Sequence, residues 1–432
     1  MRKIFYGWWV VLAASIGLFA SFGPIVSFTF GVFIAPLSRE FSWGRGEISA
    51  AFSLAMLMLA LCSPAVGRLV DQFGARRVIL PATFLFGMGL MGLSLVRALW
   101  HFYLIYALMG LVGGGTAPVP YSTVISRWFD RRRGLALGLM MVGTGLGMFF
   151  MPSFAHALIE RWGWRQAYLV LGTMVILITI PVVGALLRDS PQAMGLSPDG
   201  RPPQPQRREE QKDDGLELAH ALRVPTFWLL VVAFFLVSAT VHGCLTHLAP
   251  MLMDRGVSPQ EAAQATSLLG GAVLIGRVVT GYLLDRLYAP RVAMGFFAGT
   301  TIGVFLLWSG ATHELAFASA FLVGLGMGAE VDIIAYLVSR YFGLRAFGSI
   351  YGYAFAAYIL GGLAGPLAMG VGVDRTGAYQ WPLGSFLIAM ALAIGLMWRL
   401  GPYPRGEGAR EVEAISRRVW ERAEMPSADS SQ

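Results

Sequence analysis

Apolar residues run along this chain in long unbroken stretches, without the strict alternation of a half-buried strand. Twelve of these stretches approach the roughly 20 residues that a helix needs to cross a bilayer. They lie near 7–36, 47–67, 78–96, 101–126, 134–158, 167–187, 225–253, 260–284, 291–311, 314–339, 347–371 and 379–400. Gly and Pro recur inside them, which membrane helices tolerate. The first stretch follows Met1-Arg2-Lys3 and continues to about Leu37. That exceeds the roughly 7–15 apolar residues of a secretory signal, and no small-x-small site ends it, so it reads as a retained first helix. The pattern predicts an all-α membrane protein with twelve transmembrane helices.

The polar stretches divide the chain. Between 188 and 224 stand Pro191, Pro198, Pro202, Pro203 and Pro205, then a mixed-charge run from Arg207 to Glu217. This is the composition of a solvated linker. It separates residues 1–187 from 225–400, and a polar tail follows at 401–432. Leu216–Leu222 is amphipathic and is expected to lie on the membrane surface.

Composition excludes a soluble fold. Of 432 residues, 13% are charged and 56% hydrophobic, against roughly 25% charged in a typical soluble protein. The net charge of +8 does not mark a nucleic-acid binder, because the basic residues, nearly all Arg, cluster in short connections between apolar stretches. Placing both termini in the cytoplasm puts most of them inside, as the positive-inside rule asks. Only Arg39, Arg45, Arg97, Arg161, Arg165, Arg255 and Arg375 then lie outside, and Arg277 falls deep within a stretch. Cys62 and Cys244 sit in apolar stretches far apart and are expected to be free thiols.

The two halves repeat. Gly67-Arg-Leu-Val-Asp71-Gln-Phe-Gly-Ala-Arg76-Arg77 follows the second stretch, and Gly281-Tyr-Leu-Leu-Asp285-Arg286-Leu-Tyr-Ala-Pro-Arg291 follows the eighth, 214 residues later. Ser126-Arg127-Trp128-Phe129 and Ser339-Arg340-Tyr341-Phe342 recur at 213. Parallel repeats joined by a linker build many transporters, with the substrate between the halves. The motif has a physical use: glycine lets helix ends approach closely, and Asp71 and Asp285 can pair with a neighbouring Arg or a helix N-terminus, latching one conformation.

These motifs resemble the loop signature of the major facilitator superfamily, G-x-x-x-D-R/Q-x-G-R-R, with Pro290 standing in the second copy where the first has Arg76. The resemblance implies two pseudo-symmetric six-helix halves, with helices 1, 4, 7 and 10 lining a central cavity. Within the superfamily, four features resemble the monocarboxylate transporters and oxalate/formate antiporters. These are Gly7-Trp8-Trp9, the run Arg127-Trp128-Phe129 to Arg132-Arg133-Gly134-Leu135-Ala136, His247-Leu248-Ala249-Pro250, and Arg277 with Gly281 one turn on. In those transporters the helix-8 arginine holds a substrate carboxylate, a role the guanidinium fork suits.

Charge inside a span is costly, so each instance is a candidate site. Away from the span ends these are Arg277, Glu330 and Asp332. Arg277 reads as a substrate anchor, paired with one of the acids when substrate is absent. Glu330 and Asp332, two residues apart, project about 200° apart on a helix. One is expected to face the cavity and the other to pack between helices, and both are proton-coupling candidates. His247 is a third and also a candidate substrate contact, set against a plain packing role; His242 is weaker. Tyr121, Tyr336 and Tyr358 are candidate hydroxyl donors to a carboxylate. Phe22, Phe28 and Phe30 read as helix packing, and so does the run Gly110 to Gly115. No metal-ligand spacing, cofactor motif or nucleophile–base constellation is present, so the expectation is neither an enzyme nor a metalloprotein.

Departures narrow the substrate. The aspartate that monocarboxylate transporters carry one turn before the helix-8 Arg is Val273 here, and their helix-1 lysine falls near Phe28. The second cation of oxalate/formate antiporters has no equivalent between Phe347 and Val371. One buried cation favours one carboxylate. The expectation is a monomeric secondary transporter of a small organic monoanion, with proton symport, in a bacterial cytoplasmic membrane. Efflux of amphipathic compounds is the alternative, and a non-transporting receptor the more distant one.

Overall fold

The computed structural model describes residues 5–200 and 215–403. Among these, thirteen helices of eleven residues or more follow in order: α1 Gly7–Phe19, α2 Phe30–Phe41, α3 Arg45–Phe73, α4 Ala75–Leu93, α5 Leu99–Gly113, α6 Pro118–Trp128, α7 Arg133–Leu186, α8 Pro225–Asp254, α9 Pro259–Leu284, α10 Ala289–Trp308, α11 His313–Tyr341, α12 Phe347–Thr376 and α13 Gln380–Trp398. Eleven helical runs are long and apolar enough to span a membrane. One of them, α7, has 54 residues and would extend about 80 Å if straight, far beyond a hydrocarbon core of about 30 Å. It breaks at Gly163, whose φ of 79° lies outside the helical region, giving two crossings and twelve in all.

Two predicted stretches are not single helices. The first divides into α1, a π-helical turn Gly23–Ser27 and α2, which continues to Phe41. Pro24 sits in that turn and withholds an N–H from the helical ladder. The fourth divides into α5, a 3₁₀ turn Gly114–Thr116 and α6, which opens on Pro118. The two breaks meet: the Phe22 amide donates to Thr116 Oγ1 at 3.2 Å. Glycines let the chain pack this closely, and a Cβ on Gly115 would clash with Ala82. Both cysteines are free.

The halves meet through α3 against α12 and the first arm of α7 against α9. Glycine backbones form these contacts. A Cβ on Gly348 would lie 2.6 Å from the Gly67 carbonyl, and one on Gly281 would lie 2.6 Å from the Gly134 carbonyl. Among the described residues, every hydrogen bond joining the halves lies at the end of the bundle that carries the linker. At the opposite end the polar contacts stay within one half. There Glu40 takes Trp164 Nε1 at 2.6 Å and pairs with Arg165, and Asp254 takes the Tyr379 hydroxyl at 2.8 Å. The linker end is closed, and among the described residues no hydrogen bond or ion pair bridges the halves at the opposite end.

Most of the predicted charged run Arg207–Glu217 lies outside the described residues, as does the tail from 404. The described flanks of the linker are fastened. Asp199 Oδ2 accepts from the Asp130 and Arg131 amides at 3.3 and 2.9 Å. On the far flank Gly215 bridges Gly343, the Leu216 amide donates to the Phe342 carbonyl at 2.8 Å, and Glu217 pairs with Arg345 at 2.7 Å. Only one helical turn, Leu218–Ala221, forms in the predicted amphipathic stretch.

Candidate functional site

Small residues bring α11 onto α9. A Cβ on Gly276 would lie 2.5 Å from the Leu325 carbonyl, and one on Gly328 would strike the Val273 carbonyl and reach the Arg277 amide at 3.1 Å. Val273 and Arg277 are one turn apart, as are Gly328 and Asp332, so Asp332 comes beside Arg277. From the other half, Gly138 closes on the Arg277 carbonyl, where an added Cβ would sit at 2.5 Å. The guanidinium is held at the interface of the halves with 6% of the residue exposed.

Arg277 Nε and Nη1 have no hydrogen-bond partner, and neither does any carboxylate oxygen of Glu330 or Asp332. The acids are 0% and 1% exposed. Both lie in the field of Arg277. This corrects two expectations. No ion pair of Arg277 with either acid forms within 4 Å, and neither acid faces open space. Their separation of about 200° around α11 keeps one guanidinium from forking to both, and in this state it forks to neither. Burying charge without a partner costs several kcal/mol per ion, so the layer is unsatisfied as it stands.

A hydroxyl pair lies beside it: Tyr351 of α12 sits in the fields of Asp332 and Arg277 and close to Ser122 of α6 across the halves. Tyr358 lies in the fields of Glu330 and Arg277, with its ring 5.7 Å from that of His242. Of the residues predicted from sequence, Arg277, Glu330, Asp332 and Tyr358 come together. Others do not. The Tyr121 hydroxyl packs against Gly17 of α1 and has no partner. His247 Nε2 bonds the Pro366 carbonyl at 3.2 Å, which is a packing contact. The Tyr336 hydroxyl accepts from Arg340 Nη2 at 3.2 Å, toward the closed linker end.

At that end the predicted latch takes a definite form. Asp71 accepts from the Gly348 and Ser349 amides at 2.8 and 2.7 Å, and Asp285 from the Gly134 and Leu135 amides at 2.6 and 2.9 Å. Each carboxylate caps the N-terminus of a helix in the other half, where the dipole favours negative charge. Burial pushes the Asp285 carboxyl above the usual range, with the two amides pulling it back. The basic members of the motif do not cross between halves. Arg76 donates its amide to Asp189 at 2.9 Å and its guanidinium to the Gly184 carbonyl, Arg286 lies over the Tyr282 ring at 3.9 Å, and Arg77 is exposed.

Sequence reading missed a second ring of contacts beside the latch. Arg133 Nη1 donates to Ser339 Oγ at 3.0 Å, and Arg340 Nη1 meets Asp130 Oδ1 at 3.3 Å. The signal was present in the repeated Ser-Arg-aromatic-Phe motif, which puts Ser339 and Arg340 at the end of α11. Among the described residues, no three His, Cys, Asp or Glu side chains gather as a metal site requires.

Twelve crossings in two similar halves, with a buried cation where they meet, make the architecture of a membrane transporter. The chain belongs to the Major Facilitator Superfamily, whose sequence model matches residues 10–352 and 254–425. Monocarboxylate transporter 13 of Bos taurus is 29% identical over 398 residues, spanning 90% of this chain and 87% of that protein. Monocarboxylate transporter 11 of Mus musculus is 28% identical over 401 residues, spanning 90% and 86%. Solved structures share the fold at low identity. The proton:xylose symporter XylE superposes with a TM-score of 0.76 at 15% identity over 95% of this chain and 99% of its own. FucP in the outward conformation gives 0.69 at 13% identity, over 91% and 99%.

Proposed function

We propose that this protein is a secondary transporter that carries a small organic monocarboxylate by alternating access, together with a proton. The observation that carries the reading is Arg277, a buried guanidinium between the halves whose Nε and Nη1 have no partner. A carboxylate accepts two parallel hydrogen bonds from such a fork and cancels its charge. The names of the monocarboxylate-transporter relatives agree with this. In this reading the closed linker end faces the cytoplasm, in keeping with the basic loops there, and the substrate enters from the unbridged end.

Charge counting supports the proton. Arg277 with two acids is neutral when one acid carries a proton. A bound monoanion adds one negative charge, which a second proton on the other acid offsets. Each monocarboxylate then travels with one proton, and dianions are disfavoured.

The test is ligand-induced thermal stabilisation of purified wild type, Arg277→Ala and Arg277→Lys, using mono- and dicarboxylates and neutral analogues, followed by uptake into proteoliposomes. A monocarboxylate should stabilise the wild type. Lys keeps the charge but loses the fork, and the charged hydrogen bond is worth about 1.5–3 kcal/mol, so binding should fall by roughly tenfold or more. Equal stabilisation of all three proteins by neutral or cationic amphiphiles would overturn the reading in favour of efflux.

A further inference from the structure

Glycines in this protein mostly mark places where helices touch. A Cβ on Gly276 would lie 2.5 Å from the Leu325 carbonyl, and one on Gly303 would lie 3.1 Å from the Ser319 carbonyl. Two glycines of α10 differ. A Cβ on Gly295 would meet nothing within 4 Å, and one on Gly299 only Leu322 Cδ2 at 3.9 Å. Glycine is a poor helix residue, yet neither of these lets another helix come closer. Instead they deepen a groove of about 400 Å³ on the outside of the second half, walled by Leu283 and Leu287 at the end of α9 and by Leu322 of α11. Leu283 lies two residues beyond Gly281, about 200° around the helix. Gly281 packs on Gly134 of the other half, so the groove faces away from the Arg277 site.

The linker end of the groove is basic. Arg291, exposed in the first turn of α10, lines it and makes no ion pair among the described residues. Arg286, also exposed and next in sequence to the groove residue Leu287, lies over the Tyr282 ring. The neighbouring carboxylate, Asp285, is engaged with the Gly134 and Leu135 amides and does not neutralise them. An apolar slot within the bilayer with guanidinium groups at its interfacial end matches a phospholipid: chain below, phosphate above. From Arg291 to Gly299 the slot follows α10 for about 12 Å.

We propose that this groove is a binding site for one anionic phospholipid, with an acyl chain seated along Gly295 and Gly299 and the headgroup phosphate at Arg291, Arg286 beside it. The bare cations select negative headgroups over zwitterionic ones, while the slot selects a lipid over a free phosphate. The proposal does not depend on the substrate.

Native mass spectrometry of the purified full chain, titrated with phosphatidylglycerol or phosphatidylcholine, tests it. Wild type should retain one phosphatidylglycerol about five-fold more tightly than phosphatidylcholine, the factor expected of one arginine near a charged lipid surface. Gly299→Leu fills open space and should lose retention of both lipids. Arg291→Gln should erase the preference, and Arg399→Gln, exposed at the end of α13, should keep it. Equal retention of the two lipids by wild type, unchanged retention by Gly299→Leu, or loss of preference in Arg399→Gln would overturn the proposal. Inorganic phosphate that competes as well as the lipid would reduce the site to a surface anion contact and overturn it too.

Discussion

Asp71 reaches from the first half to Ser349 of the second and accepts hydrogen bonds from both its amide and its hydroxyl, each at 2.7 Å. Asp285 reaches the opposite way to Gly134. The two carboxylates are 214 residues apart in the sequence, and so are the amides of Gly134 and Gly348. The repeat therefore produces two crossed caps, each half holding the start of a helix in the other. Alternating access requires both to release.

Removing the charge should weaken closure without unfolding either half. Asp71→Asn keeps the shape but loses the charge-assisted bonds to a helix N-terminus, worth about 1–3 kcal/mol. The closed population should fall about five-fold or more relative to the open one. Spin-label distances between Gln72→Cys and Arg399→Cys, in a cysteine-free background, should gain a longer component. An unchanged distribution would show that the caps follow closure without driving it.

The glycines beneath the caps should act in the same direction through sterics. A Cβ on Gly67 would clash with the Gly348 carbonyl, which is backbone and cannot rotate aside. Gly67→Ala should therefore force the linker end apart, by the 1–3 kcal/mol typical of overpacking. The same labels should report a longer distance, with thermal stability of the helices largely retained. If the variant keeps the short distance, the halves have more slack at α3 and α12 than this packing allows.

How far all of this was legible in the sequence depends on what kind of physics fixed each part. Twelve crossings followed from apolar length, and the caps from a motif repeated at 214. The breaks at Gly23–Ser27 and Gly114–Thr116 were not seen, because Gly and Pro are common throughout the spans and only the bond from Phe22 to Thr116 selects those two sites. Arg277, Glu330 and Asp332 were found by the cost of buried charge. Their failure to pair was not, since that depends on how closely Gly276 and Gly328 draw the backbones together. The bond from Arg340 to Tyr336 was not seen either, because an aromatic ring suits a cavity as well as it suits an arginine.

The two acids should be redundant in coupling. With Glu330→Gln, one proton on Asp332 still offsets a bound monoanion, and Asp332→Asn leaves Glu330 to do the same. Both single variants should keep proton-coupled uptake in proteoliposomes, at reduced rate. In the double variant the monoanion alone neutralises Arg277, so transport should lose its proton dependence and become electrogenic. Loss of coupling in one single variant would assign the proton to that acid.

The unbridged end carries a pH-sensitive contact. Hydrogen bonding to Arg165 and Trp164 holds the Glu40 carboxyl below its ordinary value. A depressed pKa contributes stability that is present above the unfolded value of about 4.3 and is lost as pH falls through the folded one. Wild type should melt slightly above Glu40→Gln at neutral pH, and the gap should close below about pH 4. A gap that persists in acid would mean that packing of Phe41 and Trp164, and not charge, accounts for it. The effect should be small, because the pair is exposed.

The linker should contribute to closure through its two anchors. Asp199 binds the amides of Asp130 and Arg131, on the loop that leads into the Gly134 cap. Leu216 and Glu217 bind Phe342 and Arg345, on the loop that leads into the Gly348 cap. The two described flanks of the linker thus each hold one of the loops whose helix starts are held by Asp285 and Asp71. Losing an anchor loosens the loop that sets the start of a capped helix. Each exposed bond is worth about 0.5–1.5 kcal/mol, less than a cap. Asp199→Ala should therefore lengthen the Gln72–Arg399 label distance in a two- to ten-fold larger fraction of molecules. Combined with Asp71→Asn, the shifts should add, since the anchor and the cap share no partner. If Asp199→Ala leaves the distribution at its wild-type form, the linker rides on the gate without restraining it.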